Sequence, residues 1–255
     1  LLGTVVILGA RYRIRTASSY ATIAAAKTAA ESAVNLTIVR LLAAPLRQDV
    51  EFPLRCRLPG GEVATITIEN EAGKIDLNTA TPNLLVRLFT ALTGNQSAGA
   101  SIASNVIAFR DPQPHGGGPP PAGPATPRFT TVMQLDQISG MSPRLFRAAL
   151  RYVTVRSGRP EPDIQAASPE LLRLLDLQPK QVGQQTLPAD GSVTIRADID
   201  GLNGARFIRE ALVTLKGGND HPFIVREWRH GNIASPDTSR HRSPGQARAC
   251  IQVPA

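Results

Sequence analysis

The sequence holds only two cysteines, Cys56 and Cys250, which excludes a disulfide-knit framework and a four-ligand zinc site. One long-range bridge is open to them in an oxidising compartment. Cys250 sits in a tail that reads as mobile, which favours two unpaired thiols. Catalytic signatures are equally scarce: there is no glycine-rich phosphate loop, no nucleophile elbow and no His-Glu-x-x-His. His115, His221, His230 and His241 fall in loops, turns or the tail, without the positioned partner and shelter that a catalytic base needs. Glu69/Glu71 and Asp198/Asp200 have a spacing a metal could bridge, but strand-end solvation is the ordinary state of such pairs. The long loop after Asp111 lacks the oxygen ligands of a calcium site. The expectation is no catalytic residue, no metal, no cofactor and no enzyme.

What is present is enough apolar material, 42% of 255 residues, for the core of one large or two small domains, and wholesale disorder is excluded. Glycine and proline together make about 16% of the chain, below a low-complexity level. A net charge of +8 suggests a polyanionic partner, but the excess is uneven: +5 over residues 1–57, +1 over 58–155 and +2 over 156–255. The basic residues follow the apolar N-terminus and do not concentrate in the middle.

The chain opens on ten apolar or small residues that include Leu1, Leu2, Val5, Val6, Ile7 and Leu8, then turns to Arg11, Arg13 and Arg15. As a helix this run spans about 15 Å, half a hydrocarbon core. It reads as the end of a longer segment that, with a similar length upstream, would span a bilayer; a buried helix or a signal-peptide remnant are the alternatives. From Thr16 to about Leu46 the chain is Ala-rich without internal Gly or Pro until Pro45, which predicts a long continuous helix. Its small residues allow close lateral approach, and Ile23, Val34, Ile38, Leu41 and Leu42 form a larger apolar face.

Strand alternation runs from Glu62 to Glu69, with Ala64, Ile66 and Ile68 on one face. Thr81-Pro82 opens a helix to about Leu92, and a second is predicted from Ala98 to Phe109, with Ile102, Val106 and Phe109 inward. Gln113 to Pro127 contains six Pro and four Gly, so it is a flexible or polyproline-like loop. Helical signals resume at Val132–Ile138 and after Ser142-Pro143, and Tyr152–Val155 is a short strand. The pattern Asp76-Leu77-Asn78-Thr79-Ala80-Thr81-Pro82 recurs as Asp163-Ile164-Gln165-Ala166-Ala167-Ser168-Pro169. Beyond Pro188 alternation returns at Val193, Ile195, Ala197 and Ile199, then at Phe207–Leu215 and Phe223–Trp228, with a turn at Lys216–Asp220. Residues 231–255 are polar and rich in Arg, Ser and Pro, and are expected to be disordered.

The strings IDLNTATPNLL, VIAFRDP and FTTVMQLDQISGMSPRLFRAALRYVTV resemble the helix-hairpin-helix domain shared by competence-type DNA receptors and the K-type minor pseudopilins of type II secretion. The repeated entry at Gln165–Pro169 is similar to the pseudopilins alone, and the Ala-rich helix around Ala29–Val34 also resembles theirs. The family motif is structural and comprises Asp76, Leu77, Asn78, Thr79, Ala80, Pro82, Arg110, Asp111, Pro112 and Gly140. Helix-hairpin-helix domains hold DNA phosphate with a Gly-hydrophobic-Gly hairpin. Leu92–Gly99 lacks that tripeptide, Ser139-Gly140-Met141-Ser142 has half of it, and the region's charge of +1 is small, so no nucleic acid is expected. A membrane-tethered DNA receptor is the alternative.

The pseudopilin resemblance implies an α+β fold: a long N-terminal helix and a small antiparallel, pilin-like sheet, with a large all-α insert. The boundaries are residues 1–57 for the anchor remnant and helix, 58–75 and 177–230 for the β part, 76–176 for the insert with its loop at 113–127, and 231–255 for the tail. The resemblance further implies an inner-membrane, single-pass protein with a periplasmic domain, processed by a prepilin peptidase. It implies a pseudopilus-tip complex with I- and J-type minor pseudopilins, which the insert caps sterically. Packing against membrane and fibre falls to Leu1, Leu2, Val5, Val6, Ile7, Leu8, Ile23, Ala30 and Val34. Some relatives hold calcium through acidic loop residues that are Pro and Gly here.

Overall fold

A computed structural model describes residues 2–43, 52–111, 129–177, 191–201, 204–216, 221–231 and 248–250. The chain divides into two compact units, one built from residues 1–68 and 193–255 and the other from 69–192.

The first unit begins with helix α1, Leu2–Leu42, as the alanine content and the absence of breakers dictate. Its second half is amphipathic. Ala26, Ala29, Ala30, Ala33, Val34, Thr37, Ile38 and Leu41 recur every three or four residues and are buried. The alanines bring the helix close to the sheet, and the helix packs mainly on β6 (Arg206–Leu215). Thr37, the polar member of this face, donates its hydroxyl to the Ala33 carbonyl at 2.7 Å and so enters the core satisfied.

The sheet has six strands in the order β7-β6-β5-β2-β1-β8. These are β1 (Leu54–Arg57), β2 (Val63–Asn70), β5 (Gly191–Asp200), β6, β7 (Phe223–His230) and β8 (Arg248–Ala249). β1 and β2 pair antiparallel with Cys56 opposite Ala64, and β6 and β7 pair antiparallel with Ala211 opposite Trp228. β5 departs from the simple alternation expected of it. Val193, Ile195, Ala197 and Ile199 are buried, but so are Ser192, Thr194 and Asp198 on the other face. The cause is a layer of paired charges over that face. Arg206 forks onto Asp198, with Nε donating to Oδ1 at 2.8 Å, and Glu210 takes Arg196 on one oxygen and Arg229 on the other.

The tail requires two corrections. Arg248–Ala249 forms β8, parallel to β1, and Cys250 is bridged to Cys56 across 194 positions of sequence. The two thiols are therefore paired, and this part of the tail is ordered. Cys250 is also held from outside the bridge: its N–H donates to the Arg57 carbonyl at 2.9 Å, and Arg40 of α1 donates to its carbonyl at 2.7 Å. Residues 232–247 and 251–255 lie outside the described residues.

The second unit is helical around one core, in which Leu77, Leu85, Leu88, Phe89, Phe129, Leu135 and Leu171 are fully buried. Each side chain of this size contributes on the order of 2 kcal/mol by leaving water. β3 (Ile75–Asp76) and β4 (Val153–Thr154) form a parallel two-strand clasp. Between them run α2 (Pro82–Thr93), α3 (Gln96–Arg110), a 3-10 turn at Val132–Gln137 and α4 (Pro143–Ala149); α5 (Pro169–Leu174) follows. The hairpin from α2 to α3 is dictated locally. Gly94 takes a left-handed C-cap at φ 68°, and Asn95 then caps α3 by accepting from the Ala98 N–H at 3.0 Å. A Cβ on Gly99 would stand 2.4 Å from the Thr90 nitrogen, so the two helices approach at backbone distance there. The Pro/Gly loop at 113–127 lies outside the described residues.

Candidate functional site: an unpartnered helix and a motif that locks the insert

α1 changes character at Ala26. Before it, Tyr12 is 74% exposed, Ile14 68% and Tyr20 71%, and Ile23 is exposed as well. Large apolar side chains left in water over several turns of one helix mark an interaction surface. Of the expected packing residues, Ile23 alone among those with described side chains is on this free surface. Ala30 and Val34 are fully buried against their own unit, which corrects their assignment to fibre contacts: at their depth the helix is already covered by its own sheet. Leu2, Val5, Val6, Ile7 and Leu8 lie within α1, their side chains outside the described set, and Leu1 is outside it altogether. Sequence reading missed Tyr12, Ile14 and Tyr20. The signal was there in the spacing of Tyr12, Tyr20 and Ile23, which falls on one helical stripe.

Where α1 meets the sheet, Glu31 accepts from Arg209 at 2.7 Å. The Arg209 guanidinium lies 5.1 Å from the Phe207 ring centre and 5.5 Å from that of Trp228, so a nearly buried charge is met by a carboxylate and two ring faces.

In the other unit the motif residues converge on each other and hold the chain together. Asp76 is buried; one carboxylate oxygen accepts the Asn78 N–H at 2.9 Å, and the other accepts the Gly158 N–H at 2.7 Å and the Ser157 hydroxyl at 3.2 Å. Asn78 pairs both ways with the backbone of Phe129, donating to its carbonyl at 2.9 Å and accepting from its N–H at 3.0 Å. The Thr79 hydroxyl donates to the Arg159 carbonyl at 2.6 Å. Leu77 and Ala80 are core residues, and Pro82 occupies the first turn of α2 behind the Thr81 cap. Arg110, at the end of α3, donates to the Ala80 carbonyl at 2.7 Å and pairs with exposed Asp111. Gly140 sits at φ 87° in the turn before α4, beside Ser139, whose carbonyl accepts from Asn105 at 3.0 Å. Pro112 lies outside the described residues. The motif is thus a set of backbone clamps, and its polar atoms are spent on the chain itself.

The sequence repeat is also a repeat of geometry. Gln165 N–H donates to Asp163 as Asn78 does to Asp76, and Ser168 caps α5 as Thr81 caps α2. Glu69, Glu71 and Asp198, three of the four carboxylates with metal-like spacing, have cationic partners. Glu69 and Glu71 both hold Lys74 at 2.8 Å, and Asp198 holds Arg206. Burial opposes the Lys74 charge, but the two carboxylates outweigh it and hold the ammonium above its ordinary pKa. Arg206 is likewise raised, by its hydrogen bonds to Asp198. Among the described residues no group of three or more His, Cys, Asp or Glu is placed to hold a metal. His221 and His230 are exposed; His115 and His241 lie outside the described residues. Among those residues, too, no helix is long and apolar enough to cross a membrane.

A long N-terminal helix laid on a small sheet, with a second domain entered and left through that sheet's strands, defines the pilin-like fold with an extra domain. The same fold is found in the crystal structure of the GspK-GspI-GspJ complex from the enterotoxigenic Escherichia coli type 2 secretion system. The match has a TM-score of 0.55 and 14% identity, covering 86% of this chain and 99% of that one; at this identity the likeness is one of fold. No family model and no curated protein sequence matches the chain.

Proposed function

We propose that this chain is a minor pseudopilin of a type II secretion system, a structural subunit without enzymatic activity. The observation that carries this reading is the half of α1 that leaves its own unit with Tyr20 and Ile23 exposed, which a neighbouring subunit's helix would cover. In this reading the partners are I- and J-type minor pseudopilins. The fold shared with the crystal structure of the GspK-GspI-GspJ complex supports that choice. The residues before Arg11 belong to an inner-membrane anchor of a chain processed by a prepilin peptidase, and the rest is periplasmic. The Cys56–Cys250 bridge supports an oxidising compartment. The insert caps the tip sterically, by its bulk.

The test is light scattering of the chain with the soluble domains of the I- and J-type subunits, with duplex DNA as a parallel arm. A defined hetero-complex is expected, lost in a Tyr20→Asp/Ile23→Asp double variant that keeps its circular dichroism. No complex, with DNA binding that weakens steeply in salt, would overturn the reading in favour of a DNA receptor.

A further inference from the structure

The turn of α1 just beyond its apolar start is unlike the turns that follow it. Tyr12, Arg13, Ile14 and Arg15 are consecutive and all exposed. Tyr20 and Ile23 offer a neighbour a mostly uncharged stripe. Here Arg13 and Arg15 alternate with an aromatic ring and a β-branched side chain, and Arg11 stands between them and apolar residues 2–10. No acidic residue occurs before Glu31, so nothing on this stretch of chain neutralises the arginines. An uncharged helix packed on this turn would have to bury both charges without partners, at a heavy penalty. A surface of lipid headgroups would not. The tyrosine ring and hydroxyl suit the boundary between hydrocarbon and water, and arginine heads suit phosphate.

From this we infer that the Tyr12–Arg15 turn is an interfacial anchor that selects anionic phospholipid. The inference rests on the proposed membrane anchor and adds its lipid preference. Apolar residues 2–10 give the helix affinity for any bilayer, Tyr12 and Ile14 fix its depth, and Arg13 and Arg15 make affinity depend on headgroup charge. Near an anionic surface each arginine contributes about fivefold in binding, so the pair contributes roughly thirtyfold.

Flotation of the full chain with phosphatidylcholine vesicles, with and without phosphatidylglycerol, tests this. Binding is expected to both, stronger by at least roughly thirtyfold with phosphatidylglycerol, with most of that advantage lost in high salt. An Arg13→Gln/Arg15→Gln variant should lose roughly thirtyfold of that preference and keep only the share that Arg11 supplies. The variant lies outside either core, so its thermal unfolding should match the parent's. Flotation indifferent to headgroup charge overturns this inference and leaves the anchor standing. Failure to float with any vesicle overturns the anchor and the inference with it. If the variant keeps the parent's full anionic preference, or loses only its complex with I- and J-type subunits, the lipid assignment of Arg13 and Arg15 falls.

Discussion

Asn78→Ala removes one side chain and strips the partners from two backbone groups. The carboxamide accepts from the Phe129 N–H at 3.0 Å and donates to its carbonyl at 2.9 Å, and Phe129 is 1% exposed. Water does not reach that residue to replace what is lost. A buried backbone group left without a partner costs about 1–3 kcal/mol, so two set the loss at about 2–6 kcal/mol. Phe129 is also the first described residue after the Pro/Gly loop, and its ring stacks on Phe109 with centroids 4.6 Å apart. The pair from Asn78 therefore fixes where the chain re-enters the core. For a unit of this size the melting temperature should fall by on the order of 10 °C. The assay is thermal unfolding followed by circular dichroism, with exposed Asn83→Ala as the control, expected to shift stability by less than about 0.5 kcal/mol. Asn78→Asp should rescue poorly, because a carboxylate still accepts from the Phe129 N–H but faces its carbonyl without a proton to donate. If Asn78→Ala and Asn83→Ala unfold together, the motif is not a clamp and the argument from Phe129 fails.

Gly99→Ala puts a methyl group 2.4 Å from the Thr90 nitrogen, where backbone cannot yield; a loss of about 2–3 kcal/mol in denaturant unfolding is expected. Cys56→Ser unpins a strand joined across 194 positions and should cost the pilin-like unit about 2–5 kcal/mol, matched by reductant on the parent and not added to by it. Lys74→Met leaves buried Glu71 without its cation, a loss of about 3–5 kcal/mol by chemical denaturation. Because the folded pKa of Lys74 is raised above 10.5, its contribution is complete below that pH and is lost as pH rises through the folded value. The gap between parent and Lys74→Met should therefore be constant from about pH 7 to about pH 9.

What the sequence revealed was whatever is decided within a few residues. Thr81-Pro82 and Ser142-Pro143 each open a helix as read, and Ser168 in the repeated string caps α5 in the same way, because a hydroxyl finds its N–H three residues on. The extent of α1 was legible for the same reason, since propensity accumulates along a single element. Its division was not: nothing local distinguishes exposed Ile23 from buried Val34, and the answer comes from strands more than 150 positions later. Cys250 looked mobile because its neighbours are polar, whereas its order depends on Arg57, Cys56 and Arg40. The motif residues were recognised as a set, but their duties lie with Phe129, Gly158 and Arg159, which no spacing connects to them.

The two units differ in how their chain is laid out, and that sets an order of folding. Residues 69–192 are contiguous, and their clasp, Ile75 N–H to the Tyr152 carbonyl at 2.8 Å, closes as soon as that stretch is available. The other unit is split. β2 waits for β5 as its neighbour, and β1 stays an open edge until residues 248–250 arrive from the far end of the chain. A chain delivered N-terminus first would therefore hold a finished helical unit between two unfinished halves of a sheet. Only a chain delivered through residue 250 can cover that edge and be locked by the Cys56–Cys250 bridge.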